Sequence, residues 1–526
     1  MTAAGSRRVA LVVALAGAAW AAGGEGWDEA RRRGAIHAEC GRNARRLLQG
    51  WIDRKRDPQT SLYSRGGRWD YHNEAADHYS SLVLVAFYVA PDLIRPGATL
   101  HETLASSQRL CGTPSGIPTT YDLKAHAPGK PASRDALAEW LRDGLLRIVE
   151  VLGTENDWYR ELERLTDAVL AEARRRGGMP TAFRDHESAG NMLQVLARLY
   201  AFSGKAAYLD SAEELAGAFL LDPARAIGSI RFGDHGCELV PGLAELFVVG
   251  TRLGRPKAAS WREPLRGLLD GILASGAHPE TGLFRRGNAP PPDTWGYVLF
   301  SFENADRATG EGRYRAAIEK PLRWLIANRA SYPDLKSTLW PRSGSSDDWS
   351  DSYESFIVLW NRFRHIGGGF EWLDWATHQH IHRRHADRPY GPYTGGHFDG
   401  STARTLCLHM MLCSQGVRCV PFAEGVGLGA VQRDGRLLLT VEAKTGWTGR
   451  LCFDGPRTEH KGATLDWARI NEMPQWFVVR PDARYSVSTD GGPAAARSGR
   501  ELLEGLRIEA RPAILRRVEV SPVPRE

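Results

Sequence analysis

The densest group of acids in this chain runs from Ser343 to Glu354 and holds Asp347, Asp348, Asp351 and Glu354 within one short stretch. Cleavage of a glycosidic bond uses two carboxyls, one protonated to assist the leaving oxygen and one ionised to attack or to activate water. Crowded carboxylates push one pKa upward, so such a group can keep one member protonated. Asp348 is the candidate general acid. A second stretch, Arg231 to Glu238, sets Asp234 beside His235 between Gly233 and Gly236. An imidazole next to a carboxylate can carry a proton near neutral pH. Asp234 is therefore the candidate opposing carboxylate or base, with His235 assisting.

Other polar loops offer groups that could bind a substrate: Asp185 with His186, His397 with Asp399 and Arg404, Trp69 with His72 and Asn73, and Trp295 with Tyr297. Aromatic faces stack on sugar rings, although a given Trp is more often core. His378, His380, His382 and His385 do not have the spacing of a closed metal site. No metal or cofactor is expected.

These residues sit where helices should begin. Asp77, Asp135, Asp185, Asp234, Asp293, Asp348 and Asp399 each lie in a polar stretch ahead of an amphipathic pattern, at roughly 50 to 60 residue intervals, the size of a helical-hairpin repeat. Each also has a plain reading as a helix cap or first-turn acid. Met192, Leu193, Leu196, Leu199 and Tyr200 form one apolar face, Ser203 and Gly204 interrupt it, and Tyr208, Leu209, Ala212, Leu215, Ala216 and Phe219 begin another. The same junction recurs at Thr309, Gly310 and Tyr314, and more loosely at Gly153 and Trp158. A second echo aligns 58–65 with 279–286 as Pro-x-Thr-x-Leu-aromatic-x-Arg, which reads as a turn anchored by its Leu and aromatic residue.

Stacked hairpins bury their apolar faces only against neighbours, so they form an open solenoid or close into a toroid. The long Trp-, His- and Asp-rich loops favour closure around a site. After Gln415 the pattern changes to short alternating runs, including Val426 to Val431, an Asp434-Gly435 turn and Leu437 to Val441. Further strands are expected at Leu451 to Phe453, Trp476 to Val479, Tyr485 to Ser488, Leu506 to Ile508 and Val518 to Val520. The fold class is mainly α, an (α/α)6-type toroid over 35–415 followed by a small antiparallel β-sandwich over 420–526.

With 42% apolar and 25% charged residues the chain has the composition of a folded globular protein. Its net charge of +6 is scattered rather than blocked, which argues against nucleic acid as a partner. Arg7, Arg8, the apolar run Val9 to Ala22 and the Ala19-Trp20-Ala21 pattern read as a signal peptide over 1–21. A secreted or periplasmic location and no stable membrane insertion are expected. Cys413 and Cys419 could bridge, leaving an odd thiol among the seven cysteines. The sequence does not set an oligomeric state.

The repeated hairpins, with the strands after Gln415, give a chain that resembles the six-hairpin glycosidase-like and toroidal polysaccharide lyase group. That resemblance implies a carbohydrate substrate in a funnel at the starts of the inner helices, and glycoside hydrolysis as the leading activity. A lyase acting on a uronate would instead draw on His72, Asn73, Tyr79, His235 and Arg404. A non-catalytic glycan-binding scaffold is the third reading. The paired cysteines with a nearby glutamate used by zinc-dependent arabinofuranosidases of this group are absent from the sequence.

Overall fold

The computed structural model describes the backbone of residues 4–221, 230, 232, 234–285, 287, 289–331, 341, 346–382 and 399–524. The side chains of 4–25, 234–235, 346–348 and 380–381 lie outside it. Its first 414 residues alternate two kinds of helix. The outer ones are α1 (Ala4–Lys55), α3 (Thr99–Cys111), α5 (Asp157–Arg175), α7 (Ala206–Leu220), α9 (Pro256–Gly276), α11 (Arg315–Asn328) and α13 (Gly369–Ala376), each with one apolar face. The inner ones are α2 (71–89), α4 (134–152), α6 (His186–Ser203), α8 (Leu239–Arg252), α10 (Tyr297–Thr309), α12 (Ser346–Trp360) and α14 (Asp399–Ser414), and they are buried nearly all round. Each inner helix packs on the next, and α14 returns to α2, so the ring closes. This is the mainly helical toroid with a C-terminal β domain that the pattern predicts. Among the described residues seven inner segments follow one another, one for each polar stretch that precedes them.

The hairpins form where the periodicity puts them. Gly204 and Gly310 end α6 and α10 in the left-handed conformation and accept no Cβ penalty there. Both copies of the echoed motif build one turn. Leu62 O and Leu283 O accept from the backbone N–H of Asp57 and His278, and the Thr60 and Thr281 hydroxyls accept from Leu62 and Leu283 N–H. Leu62, Tyr63, Leu283 and Phe284 are fully buried, so the anchoring role is theirs.

Close approach is set by glycine. A Cβ on Gly400, at the start of α14, would stand 1.9 Å from the Asp77 carbonyl oxygen. Two inner helices depart from α-geometry, with π-helical runs at Tyr71–Tyr79 and Trp140–Leu146 that pack on each other. Such runs are uncommon and recur at functional sites.

After α14 the chain enters two antiparallel sheets. One has the order β5 (Val426–Arg433), β6 (Arg436–Ala443), β11 (Arg516–Pro522), β8 (Arg484–Thr489), β9 (Ala495–Ser498), and the other β10 (Leu506–Ala510), β7 (Trp447–Cys452), β4 (Arg418–Val420). Asp434 and Gly435 both have positive φ, as a type I′ turn needs. The sheets enclose a separate core that includes Leu428, Leu439, Leu451, Ile508 and Val518. A further small sheet, β1 (Arg68–Trp69), β2 (Thr119–Asp122) and β3 (Ala127–Pro131), packs on the outer helix α3.

Two expectations change. Trp476 to Val479 is not a sheet strand; it belongs to an irregular segment, 454–480, whose Leu465, Trp467, Ala468, Ile470 and Met473 join the toroid core instead of the β core. Cys413 and Cys419 do not bridge, because all seven cysteines are free and buried. Cys419 faces the β core, whereas the nearby charges at Cys413 are toroid groups, Arg33 and Asp374.

Candidate functional site

Polar side chains inside the ring gather in one layer, from α2, α4, α6, α8, α10, α12 and α14. On one side, α4 places Arg142 among acids. It donates to Asn191 at 2.8 Å and pairs with Asp143 and Glu238, while Glu139 stands at 3.6 Å. Burial alone would draw Arg142 downward, but Asp143, Glu238 and Glu139 more than reverse it. Asp77, Glu139 and Asp143 bring one carboxylate oxygen each within 4.8 Å of one another. That spacing could hold a cation, yet Arg142 already supplies positive charge to two of the three. Asp77 is the most accessible member.

On the other side, Arg404 of α14 bonds Asp351 at 2.6 Å and Glu354 at 2.9 Å. Burial pushes Glu354 upward, Arg404 opposes this, and Asp351 adds to it. The Tyr297 hydroxyl donates to Glu354 at 3.3 Å, and burial with Asp351 and Glu354 raises that phenol well above its usual range. Asp351 remains beside a guanidinium at the edge of the layer. Asp143, Asp351 and Arg404 are each 7–8% exposed, which leaves them in reach of the ring's interior.

One residue from the C-terminal half joins the two sides. Asn471 donates its amide to Asp143, accepts from Arg404 at 2.7 Å, and gives its backbone N–H to Glu354. Asp143 and Asp351 are thus linked through Asn471 and Arg404.

The residues expected from sequence fall in several places. Asp234 opens the short turn Asp234–Cys237 ahead of α8, and Asp348 lies in the first turn of α12; their side chains, with that of His235, are outside the described residues. His397 is also outside them. Arg404 is in the layer, and so is Tyr297, as a buried donor to Glu354 with no exposed face for a sugar.

Several substrate-binding expectations become structural roles. Asp185 caps α6, accepting from Ser188 N–H at 2.7 Å, and His186 meets Phe219 edge-on. Asp399 accepts from the Trp51 indole at 2.8 Å and so ties α14 to α1. Trp69 and Trp295 are 1% exposed and fill the core; Trp69 packs edge-on against Tyr71 and Tyr79. Neither can stack on a sugar from that position. His72 and Asn73 are half-buried at the start of α2, behind Asp70, which caps that helix in place of Asp77. Ser133 likewise caps α4 ahead of Asp135.

Tyr79 is fully buried, donating to Leu100 O and accepting from the Trp158 indole. It is spent on structure, as Arg404 is spent on two carboxylates.

Sequence reasoning passed over Glu139, Arg142, Asp143, Glu238 and Asn471. A usable signal existed for α4: past its first two residues, Glu139, Arg142, Asp143, Arg147 and Glu150 are the charges on an otherwise apolar helix, with Leu137, Leu141, Leu145, Leu146 and Val149. Charges in such a setting must face partners within the protein.

No protein-family model and no curated protein matches the sequence. Solved structures do. A GH76 α-1,6-mannanase of Salegentibacter sp. HEL1_6 aligns at 13% identity over 58% of this chain and 96% of its own, with a TM-score of 0.38. A structure described as a glycoside hydrolase aligns at 12% over 74% and 72%, with a TM-score of 0.36. A GH127 β-arabinofuranosidase aligns at 11% over 94% and 77%, with a TM-score of 0.33.

Proposed function

We propose that the protein is a glycoside hydrolase acting on a polysaccharide or oligosaccharide with the carboxyl groups inside its ring. The observation that carries this reading is two buried acidic sites facing each other inside the ring, joined by a hydrogen-bonded bridge. Asp77, Glu139 and Asp143 crowd together, and Asp77, the most accessible of them, is proposed as the proton donor to the leaving oxygen. Asp351, ion-paired to Arg404, is proposed as the nucleophile or the base for water. Asp348 stands one helical turn from Asp351 toward the start of α12, and Asp234 with His235 at the corresponding end of α8. They are kept as candidates for handling substrate or protons where it enters. His397, His72 and Asn73 are proposed to help bind the substrate.

The protein is proposed to be exported, with 1–21 as its signal peptide, on the Arg-then-apolar pattern of that segment. Among the described residues no helix is long and apolar enough to cross a membrane.

Assay of the purified protein on neutral and uronate-containing glycans tests the activity. Hydrolysis releases reducing ends without an ultraviolet-absorbing product; an unsaturated product would replace the reading with β-elimination, and binding without cleavage would replace it with a glycan-binding scaffold.

A further inference from the structure

The segment 454–480 leaves the β domain and crosses the ring at the end where the inner helices finish. Gly462 N–H bonds Ala201 O at the end of α6, Arg252 at the end of α8 bonds Asp466 at 2.6 Å, and Arg362 just past α12 pairs with Glu472 at 2.9 Å. Deeper in, the Trp467 indole donates to Glu245, Asn304 donates to Ala468 O, and Arg198 donates to Ile470 O. Arg469 makes two 2.9 Å or shorter bonds to Glu150 of α4. One strap thus engages α4, α6, α8, α10 and the end of α12.

Its innermost point is Asn471, held at φ 60°, a left-handed conformation that asparagine tolerates better than most residues. There it meets Asp143, Glu354 and Arg404 directly.

Resting on the hydrolase reading, we propose that segment 454–480 makes the site a blind pocket that accepts the end of a glycan chain, with Asn471 as the positioning residue at its floor. A through-channel would let a polymer thread past the acids. The strap blocks that path at the helix C-termini.

Depth removes the other path. Asp351 lies five residues into α12 and Asp143 nine into α4. At a rise of 1.5 Å per residue Asp351 sits about 7 Å below the start of α12, and Asp143 lies deeper still in α4. A chain lying across the starts cannot bring an internal bond to that depth. A terminal sugar can.

The test uses the full-length protein and oligosaccharides of the cleaved glycan carrying a fluorophore at one end, analysed at low conversion. Release of a single fixed-size unit from one end is expected. Early products of many lengths would overturn the chain-end proposal while leaving the hydrolase reading intact, and no cleavage of any glycan would overturn both.

Asn471→Asp tests the floor, because a new carboxylate beside Asp143, Asp351 and Glu354 raises their pKa values. Both limbs of the pH–rate profile should move alkaline, by on the order of one pH unit. Asn471→Gly keeps the left-handed backbone and removes the amide, and kcat should fall by about tenfold or more with KM little changed. An unmoved profile in folded Asn471→Asp, or unaltered kcat in folded Asn471→Gly, would remove Asn471 from the site.

Discussion

At the scale of the residue, the arginines matter as much as the acids. Arg404 pairs with Asp351 and Arg142 gathers Glu139, Asp143 and Glu238, so each of these acids is held by a named neighbour. Asp351→Asn keeps the shape and removes the charge. Its kcat should fall by about 10²- to 10⁴-fold with unfolding temperature little changed, as read by steady-state kinetics and calorimetry on the same preparation. Arg142→Met should act on stability, since it strands buried carboxylates. A loss of about 3–5 kcal/mol in denaturant unfolding is expected.

His37 is a third case. It is buried on α1 and burial lowers its pKa to about 4 from 6.5. Because the folded value is depressed, its contribution is complete above pH 6.5 and is lost as pH falls toward 4. That 2.5-unit difference corresponds to as much as about 3 kcal/mol. Urea titrations across that window should show the decline in the native protein and a flatter one in His37→Phe.

At the scale of the element, helix–helix contact depends on a few small residues and on turns that repeat. The Pro-x-Thr-x-Leu-aromatic echo and the Gly204 and Gly310 junctions were legible because each is a local device with a local signature. The start of α2 was legible only in part. Asp77 fits the cap spacing, but Asp70 takes the cap and a π-helical run turns Asp77 toward α4. Hydrogen-bond register of that kind is fixed by the neighbouring helix and leaves no trace in periodicity. Gly400 shows the same dependence: its need to be glycine comes from the Asp77 carbonyl on another helix. Gly400→Ala should destabilise by at least the 1–3 kcal/mol typical of overpacking, measured by chemical unfolding.

At the scale of the whole molecule, the two halves of the chain are packed together, since residues of 454–480 lie in the toroid core. The toroid and the β-sandwich were visible as a change from helical to alternating patterns near Gln415. The strap between β7 and β8 was not, because an irregular segment carries no period, and its apolar run Trp476 to Val479 imitates a strand. What places it is long-range packing: Trp467 is fully buried among helices although it belongs to the C-terminal region. Trp467→Ala should cost about 3–5 kcal/mol and loosen the toroid, with the β core left in place. Native-state hydrogen exchange would locate the loss at the C-terminal ends of α6, α8 and α10.

The central claim is hydrolysis by carboxylates inside the ring, and reaction in heavy-oxygen water tests it most directly. Turnover of a glycan by the native protein should place one solvent oxygen in each new reducing end, give no unsaturated sugar, and collapse in folded Asp351→Asn. An unsaturated product carrying no solvent oxygen, or undiminished turnover by Asp351→Asn, would contradict it.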